Sequence, residues 1–389
     1  MASPPITLTA AEDRLFTGLP DGAVRDALAS RGLPTRRTEA WRWSDLRAAL
    51  REAKEASGPY SGGEPAPVLD VADAVVLTAR NGEWTIPDLP DGIRVSLDAP
   101  APTLLPDADL ASLATHVRVL SIELDAGFGA PLVLRRLSDG QGSHADRAAI
   151  RVAAHGQARL IETHEATGAP FANSLTEIDL GEDARLTRTL AQPETDAVLV
   201  HTTLLRLEAD ARLDQVAVVR GGPLVRHEAR LRQATGSRAR LATLYGLTGE
   251  RHADTTVHVD FRGEDAVCDV LAKGTAAGRA RGVFQGKFHV ARGAQGTDAK
   301  MAHHALILNQ GAQVNAKPEL EIYADDVECA HGNTVGSLDA EHLFYLRQRG
   351  LSEEAARSVL IEAFAGEVLD RVGDEALRVQ LAGLFGGAS

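Results

Sequence analysis

The feature that most constrains this chain is a short motif that returns at a nearly fixed interval. A small turn, an alanine, a polar residue and an apolar residue follow one another at Gly156-Gln157-Ala158-Arg159-Leu160, and again at Glu182-Asp183-Ala184-Arg185-Leu186. Further copies stand at Ala209-Asp210-Ala211-Arg212-Leu213, Ser237-Arg238-Ala239-Arg240-Leu241 and Glu264-Asp265-Ala266-Val267-Cys268. Echoes follow at Gly293-Ala294 and Gly311-Ala312-Gln313-Val314. Counted on Ala158, Ala184, Ala211, Ala239 and Ala266, the period is about 27 residues, in the range where each unit buries its apolar face on the next to build a solenoid. Between the copies, runs such as VRVLSIEL, PLVLRRL and AIRVAA alternate as strands do, and residues 117–336 carry no clear helical spacing. The expectation is a mainly β chain with a β-solenoid core. Coincidence in an Ala- and Arg-rich sequence is the competing explanation of the repeat.

Both flanks differ in texture. Residues 1 to about 60 contain helix formers at helical spacing, in AAEDRLFTGL, DGAVRDALASRG and WSDLRAALREAKEA, and Gly32 fits a helix C-cap. SGPYSGGEPAP reads as a linker, and AVVLTA as a strand among proline-bearing turns. Beyond residue 337, Asp339 can cap AEHLFYLRQR and Gly350 can end it. Ser352 then opens a second helix, with Glu353 and Glu354 in its electropositive first turn. Ala356, Val359, Leu360, Ala363, Phe364, Leu369 and Val372 form its apolar stripe, which either packs on its own domain or docks another protein. The expected division is a helical region with linker over 1–105, the solenoid over 106–336 and a helical domain over 337–389.

Charge and composition exclude some functions. A net charge of −13 over 389 residues argues against nucleic acid as the main partner, because phosphate binding needs clustered Lys and Arg. An acidic surface otherwise serves solubility. Two cysteines suit a reducing compartment. Glu12 and Asp13 interrupt the amino-terminal stretch before a signal-peptide core forms, and no run approaches the roughly 18 apolar residues of a membrane span, so a cytoplasmic protein is expected.

Familiar catalytic motifs are missing: there is no G-x-G-x-x-G between strand and helix, no G-x-S-x-G and no H-E-x-x-H. RGVFQGKF superficially suggests a phosphate loop through Gly282, Gly286 and Lys287, but the glycine spacing is short and Phe288 stands where Ser or Thr is needed. Cys268 reads as a core residue. His303 and His304 are adjacent, so on a strand they face opposite ways.

One constellation stands out, in ELEIYADDVECAHGNTVG. If the chain is extended there, Val327, Cys329 and His331 share a face. Thiolate and imidazole are ligands for iron and zinc, yet clusters normally take four ligands, so further donors would come from elsewhere. The alternative is that Cys329 is a small packed hydrophobe and His331 a hydrogen-bonded turn residue.

Around these residues, KPELEIYADDVECAHGNTVGSLDAEHLFYLRQRGLSEEAARSVLIEAFAGEVLDRV is similar along its length to the SufB/SufD family of iron–sulfur cluster assembly scaffolds. NSLTEIDLGEDARL, the run from RHADTTVHVDF through GRARGVFQGKFHV, GAQGTDAK and the amino-terminal LPTRRTEAWRWSDL resemble it too. The resemblance implies a right-handed parallel β-helix between helical ends. It implies a non-catalytic scaffold that pairs with SufB and docks the ATPase SufC through its carboxy-terminal helices, supporting iron delivery. The family's functional Cys-x-His falls on Cys329 and His331, the candidate ligands for iron or a nascent cluster at the SufB interface. KMAHHALILNQ has no cysteine where SufB carries its own, which favours the SufD branch, although His303 and His304 stand where that branch commonly has Asn-Arg. No cofactor is expected to stay on the isolated chain. Reduced flavin on the whole complex is an extension of the resemblance, with no flavin motif here. Competing functions are a β-helix carbohydrate-active enzyme, which is usually secreted, and a SufB-like cluster carrier, against which the scarcity of cysteine speaks. A homodimer of the isolated chain is left open.

Overall fold

In an extended chain alternate side chains point to opposite faces, so the alternating runs of the middle region can line a lumen with one set and present the other outward. A computed structural model describes residues 32–52, 65–99, 104, 114–140 and 142–386. It is a parallel β-solenoid of about eight turns with helices at its ends.

Each turn gives one strand to each of two sheets. The first sheet stacks β1 (Val75–Arg80), β5 (Pro131–Gly140), β7 (Gln157–Gly168), β9 (Arg185–Gln192), β11 (Arg212–Val219), β13 (Arg238–Leu247), β15 (Val267–Ala276), β17 (Thr297–Ile307) and β19 (Val327–Gly336), with β2 (Glu83–Thr85) antiparallel beyond β1. The second stacks β4 (Val119–Leu124), β6 (Ser143–Val152), β8 (Phe171–Leu180), β10 (Val198–Leu207), β12 (Leu224–Gln233), β14 (His252–Phe261), β16 (Arg281–Val290) and β18 (Gln313–Ile322), with β3 (Ile93–Asp98) antiparallel to β4. Strands β1 and β3 lie ahead of residue 106 and already belong to the two sheets.

The register refines the repeat. Arg185, Arg212, Arg238 and Val267 are successive partners, so the alanines that mark the motif fall into two neighbouring columns rather than one. Ala158, Leu186, Leu213, Ala239, Cys268, Ala299 and Cys329 form one inward column. Ala184, Ala211, Ser237 and Ala266 form the corner before it, linked turn to turn by backbone bonds such as Arg212 N–H to Ala184 O and Arg238 N–H to Ala211 O. Small residues are required at the closed corner, whereas the inward column mixes alanine, leucine and cysteine. The residue before each corner adopts φ > 0: His155, Asp183, Asp210, Gly236, Asp265 and Gly296, with φ between 49° and 71°. Gly and Asp tolerate that conformation best, which explains the turn residues of the repeat.

Both outer faces are partly covered. The carboxy-terminal helices are α2 (Ala340–Gln348), α3 (Glu353–Leu369) and α4 (Glu375–Gly386). Asp339 accepts from the amides of Glu341 and His342 at 2.8 and 3.0 Å, Gly350 has φ 96°, and Ser352 Oγ accepts from the Ala355 amide at 3.1 Å, as the capping pattern predicts. The stripe on α3 needs correction. The buried residues are Ala356, Ile361, Ala365, Val368 and Leu369, whereas Val359 and Ala363 are exposed. The helix is apolar on more than one face, so its phase is chosen by the sheet: Ile361, Ala365 and Val368 meet Val216, Val218, Leu244 and Leu271, with Leu377, Leu381 and Phe385 of α4 beside them.

At the other end, α1 (Leu46–Glu52) is the described part of the third expected amino-terminal helix. The first two, and most of the linker, lie outside the described residues, and Gly32 has φ 70°. Trp41, buried, covers the second sheet beside Phe171, Val198, Val200 and Leu224, and its ring faces the buried Arg226 guanidinium at 4.3 Å. Ser44 donates to Asp254 Oδ2 at 2.5 Å.

RGVFQGKF is strand β16, with no loop to cradle a phosphate. Its glycines make room inside the lumen: a Cβ on Gly286 would overlap Met301 Sδ, while Gly282 and Gly274 lie against the Tyr245 ring. Lys287 faces outward and pairs with Glu321 at 2.8 Å. Because Tyr245 occupies the space of the missing side chain on Gly274, Gly274→Ala is expected to destabilise the fold by about 2 kcal/mol, as overpacking does. In a Tyr245→Ala background the same change should cost much less, as urea unfolding of the four proteins of the double-mutant cycle would show.

Candidate functional site

Among the described residues no turn lies beyond the last one: strand β19 pairs with β17 alone and β18 with β16 alone, so each presents one unpaired backbone edge at the same end of the solenoid. Register places the candidate ligands there. Cys329 is opposite Ala299, His331 opposite Met301 and Asn333 opposite His303. All three partners are buried and point into the lumen, so Cys329, His331 and Asn333 share the inward face of the final strand, at the lumen mouth. The expected common face of Val327, Cys329 and His331 is therefore present. Cys329 is half-buried and packs on the main core cluster, and burial raises its thiol pKa above the ordinary value. His331 is exposed.

The mouth is backed by a hydrogen-bond chain that the sequence did not reveal. Tyr245 Oη lies 3.0 Å from His303 Nε2, and His303 Nδ1 lies 2.7 Å from Asn333 Oδ1. The His303 ring is stacked between Phe284, with centroids 5.0 Å apart, and Tyr245, at 6.0 Å. Burial pushes its pKa down to about 4. His304 faces outward against Thr334 Oγ1 at 2.7 Å, so the two histidines diverge as expected. Cys268 is a core residue, 2% exposed, and burial pushes its thiol pKa up.

A second polar group lies deep in the lumen, and its members look unremarkable in the sequence. Arg136 binds Asp146 and Glu162, each at 2.7 Å, and Arg188 binds the other oxygen of Glu162 at 2.7 Å. Three histidines, His164, His201 and His227, adjoin this network with ring centroids 4.3, 5.8 and 5.6 Å apart. Among the described residues, Glu162, His164 and His201 are the one group of three metal-donor side chains with ligand atoms within 4.8 Å of one another. The electrostatics oppose a cation there. Both Glu162 oxygens are engaged by guanidinium groups, and although burial acts to raise the carboxyl pKa, Arg188 and Arg136 hold it below its ordinary value. Burial pushes His164 and His201 well below the ordinary histidine value, and the charges of Arg136 and Arg188 add to the effect. A divalent ion would bring uncompensated charge into a network whose two arginines already balance two carboxylates. Cys329 and His331 are not part of any such group, so a metal on them needs donors from outside the described residues.

Comparison with known proteins came to the same region. The family described as "SUF system FeS cluster assembly, SufBD core domain" matches residues 135–364. The chain is 29% identical over 384 residues to the iron–sulfur cluster assembly protein SufD of Escherichia coli, covering 91% of this chain and 89% of that protein. It is 36% identical over 204 residues to an iron–sulfur cluster assembly SufBD family protein of Synechocystis sp., covering 52% of this chain and 45% of that one. It is 32% identical over 215 residues to the chloroplastic protein ABCI7 of Arabidopsis thaliana, with 54% and 45% covered. The chain thus spans less than half the length of the latter two relatives.

The lumen histidines set a pH dependence. His227 is pushed down to about 3 by burial, and neither of its ring nitrogens has a hydrogen-bond partner among the described residues. His164, His201 and His227 stay neutral when folded, whereas in the unfolded chain each titrates near its ordinary value of about 6.5. Stability is therefore full above about pH 6.5 and falls as pH drops below it, by at most about 1.4 kcal/mol per histidine per pH unit. Unfolding free energies measured by denaturant at pH 7.5, 6.5 and 5.5 should decline steeply over the last step. His227→Gln should flatten that slope whatever it does to the absolute value.

Proposed function

Since this chain belongs to the SufBD family of the SUF iron–sulfur cluster assembly system, we propose that it is a non-catalytic scaffold subunit working in the cytoplasm. It pairs with a SufB-type subunit through the open end of its solenoid, and His331, with Cys329 beside it, meets iron or a nascent cluster there as cargo. The observation that carries the proposal is the position of these two residues: inward-facing, on the last strand, at a mouth where both sheets end in unpaired edges. Unpaired edges favour strand addition by a partner. Tyr323 and Val335, 60% and 41% exposed, supply apolar surface at the same end. Donors from the partner would then complete the four ligands that a cluster takes.

Docking of an ATPase of the SufC type is assigned to α2 and the start of α3. Helix α2 buries none of its residues, and Phe344 and Tyr345 are 64% and 56% exposed. Aromatic side chains of this kind act as anchors in interfaces. Removing residues 337–389 altogether would strip the first sheet of its cover, so point variants are the sharper probe.

His331→Ala is expected to lower cluster formation by the assembled complex by at least about tenfold, given what the loss of mere ligand-supporting groups costs metal sites. Its melting curve should match that of the parent to within about 0.5 kcal/mol, since the residue is exposed. A normal cluster yield would remove the metal role. Cys329→Ser separates two cases: a loss as large as that of His331→Ala makes both residues ligands, and a smaller one makes the thiol a packing group. Phe344→Ala with Tyr345→Ala should weaken binding of the ATPase subunit by about 2 kcal/mol or more, as read by calorimetric titration, with cluster ligands untouched.

A further inference from the structure

The repeat that defines the solenoid also writes a charge pattern on its outside. Arg185, Arg212 and Arg238 stand on β9, β11 and β13 as direct partners in register, all exposed on the outer face of the first sheet. Successive strands are about 4.8 Å apart, so three like charges are stacked at that interval. Like charges directly opposite on neighbouring strands repel. Other exposed arginines of the sheet are closely answered by an acid: Arg240 pairs with Asp214, and Arg80 with Asp139 at 2.6 Å. Arg185 has only a distant contact with Asp183, at 3.8 Å, and Arg212 and Arg238 have no ion pair among the described residues. The column lies in a groove of about 780 Å³, lined by five arginines and one aspartate, with Phe128 also in its wall. This concentration of positive charge stands on a chain whose net charge is −13.

We propose that this groove binds an acidic helical segment of a partner protein, its carboxylates bridged by Arg185, Arg212 and Arg238. The spacing fits such an occupant. On a helix, side chains three and four residues apart lie about 5–6 Å from one another, close to the interval of the arginine column. Guanidinium groups take carboxylates in two-pronged hydrogen bonds, which gives the groove direction as well as charge. A long polyphosphate chain fits less well: the column is three residues long, Asp183, Asp214 and Asp374 flank it, and the net negative charge of the protein repels it at distance. The groove lies away from the lumen mouth and does not depend on the role of His331.

The test is fluorescence anisotropy on the full chain, with a labelled helical peptide of about 20 residues bearing glutamate along one face, long enough to be helical in water. Binding is expected to weaken by at least about tenfold for Arg185→Gln/Arg212→Gln/Arg238→Gln together, and by about threefold for Arg212→Gln alone, which keeps the test open if the triple variant folds poorly. Arg262→Gln, just beyond the end of β14 and paired with Asp260, should change nothing. A peptide with glutamine for glutamate should not bind. The proposal is overturned if the arginine variants bind like the parent, if the glutamine peptide binds as well, or if a single-stranded oligonucleotide of equal charge binds as tightly as the acidic peptide.

Discussion

Everything in this protein hangs on the parallel, in-register backbone ladder. A strand in the middle of a sheet can satisfy its amide and carbonyl groups only on the turns above and below it, so each turn is committed to the position of its neighbours. Side chains at equivalent places then fall into columns. An inward column of small and aliphatic residues builds the core, an outward apolar column receives α3 and α4, and the position before each corner favours residues that tolerate φ > 0. A one-residue slip would turn each column to the wrong face. The left-handed residues before the corners and the closed corners held by alanine and serine act as register pins along the stack.

The same constraint explains the lumen. Its interior is shielded from water, so a charged residue placed there must be answered by others on the facing sheet or on the next turn. Arg136, Arg188, Asp146 and Glu162 meet this requirement by mutual neutralisation, with Thr176, Thr203 and Gln215 taking the remaining guanidinium donors. Replacing one partner would leave another charged and stranded, which is costlier than the pair is stabilising. The depressed histidines beside the network follow from that location.

A ladder also has to end. At the amino-terminal side, β2 and β3 close the sheets with antiparallel strands. At the other side β18 and β19 are left with free edges, and the residues that would have been core in a longer solenoid stand at the mouth instead. Cys329 continues the column of Cys268 and Ala299, and His331 continues that of Val270 and Met301. Cys329 and His331 thus occupy the geometry of core positions left uncovered where the stack ends.

The sequence by itself determined the solenoid, its approximate period, the helix caps at Asp339 and Ser352, the divergence of His303 and His304, and the common face of Cys329 and His331. All of these rest on local rules: a two-residue pleat, a turn that tolerates aspartate or glycine, a capping side chain next to free amides. Only the tertiary structure decided the rest. The alanines of the repeat fall into two columns because strand register is set by neighbours some 27 residues away, beyond the reach of a local pattern. The phase of α3 was settled by the sheet it covers, since Val359 and Ile361 are equally apolar and only one side meets Leu244 and Leu271. Glu162, His164, His201 and His227 carry no sequence signature, and they become a network only because strands from opposite sheets and successive turns bring them within a few ångströms. The arginine column is of the same kind: each arginine is ordinary in its own turn, and stacking alone makes three of them one surface.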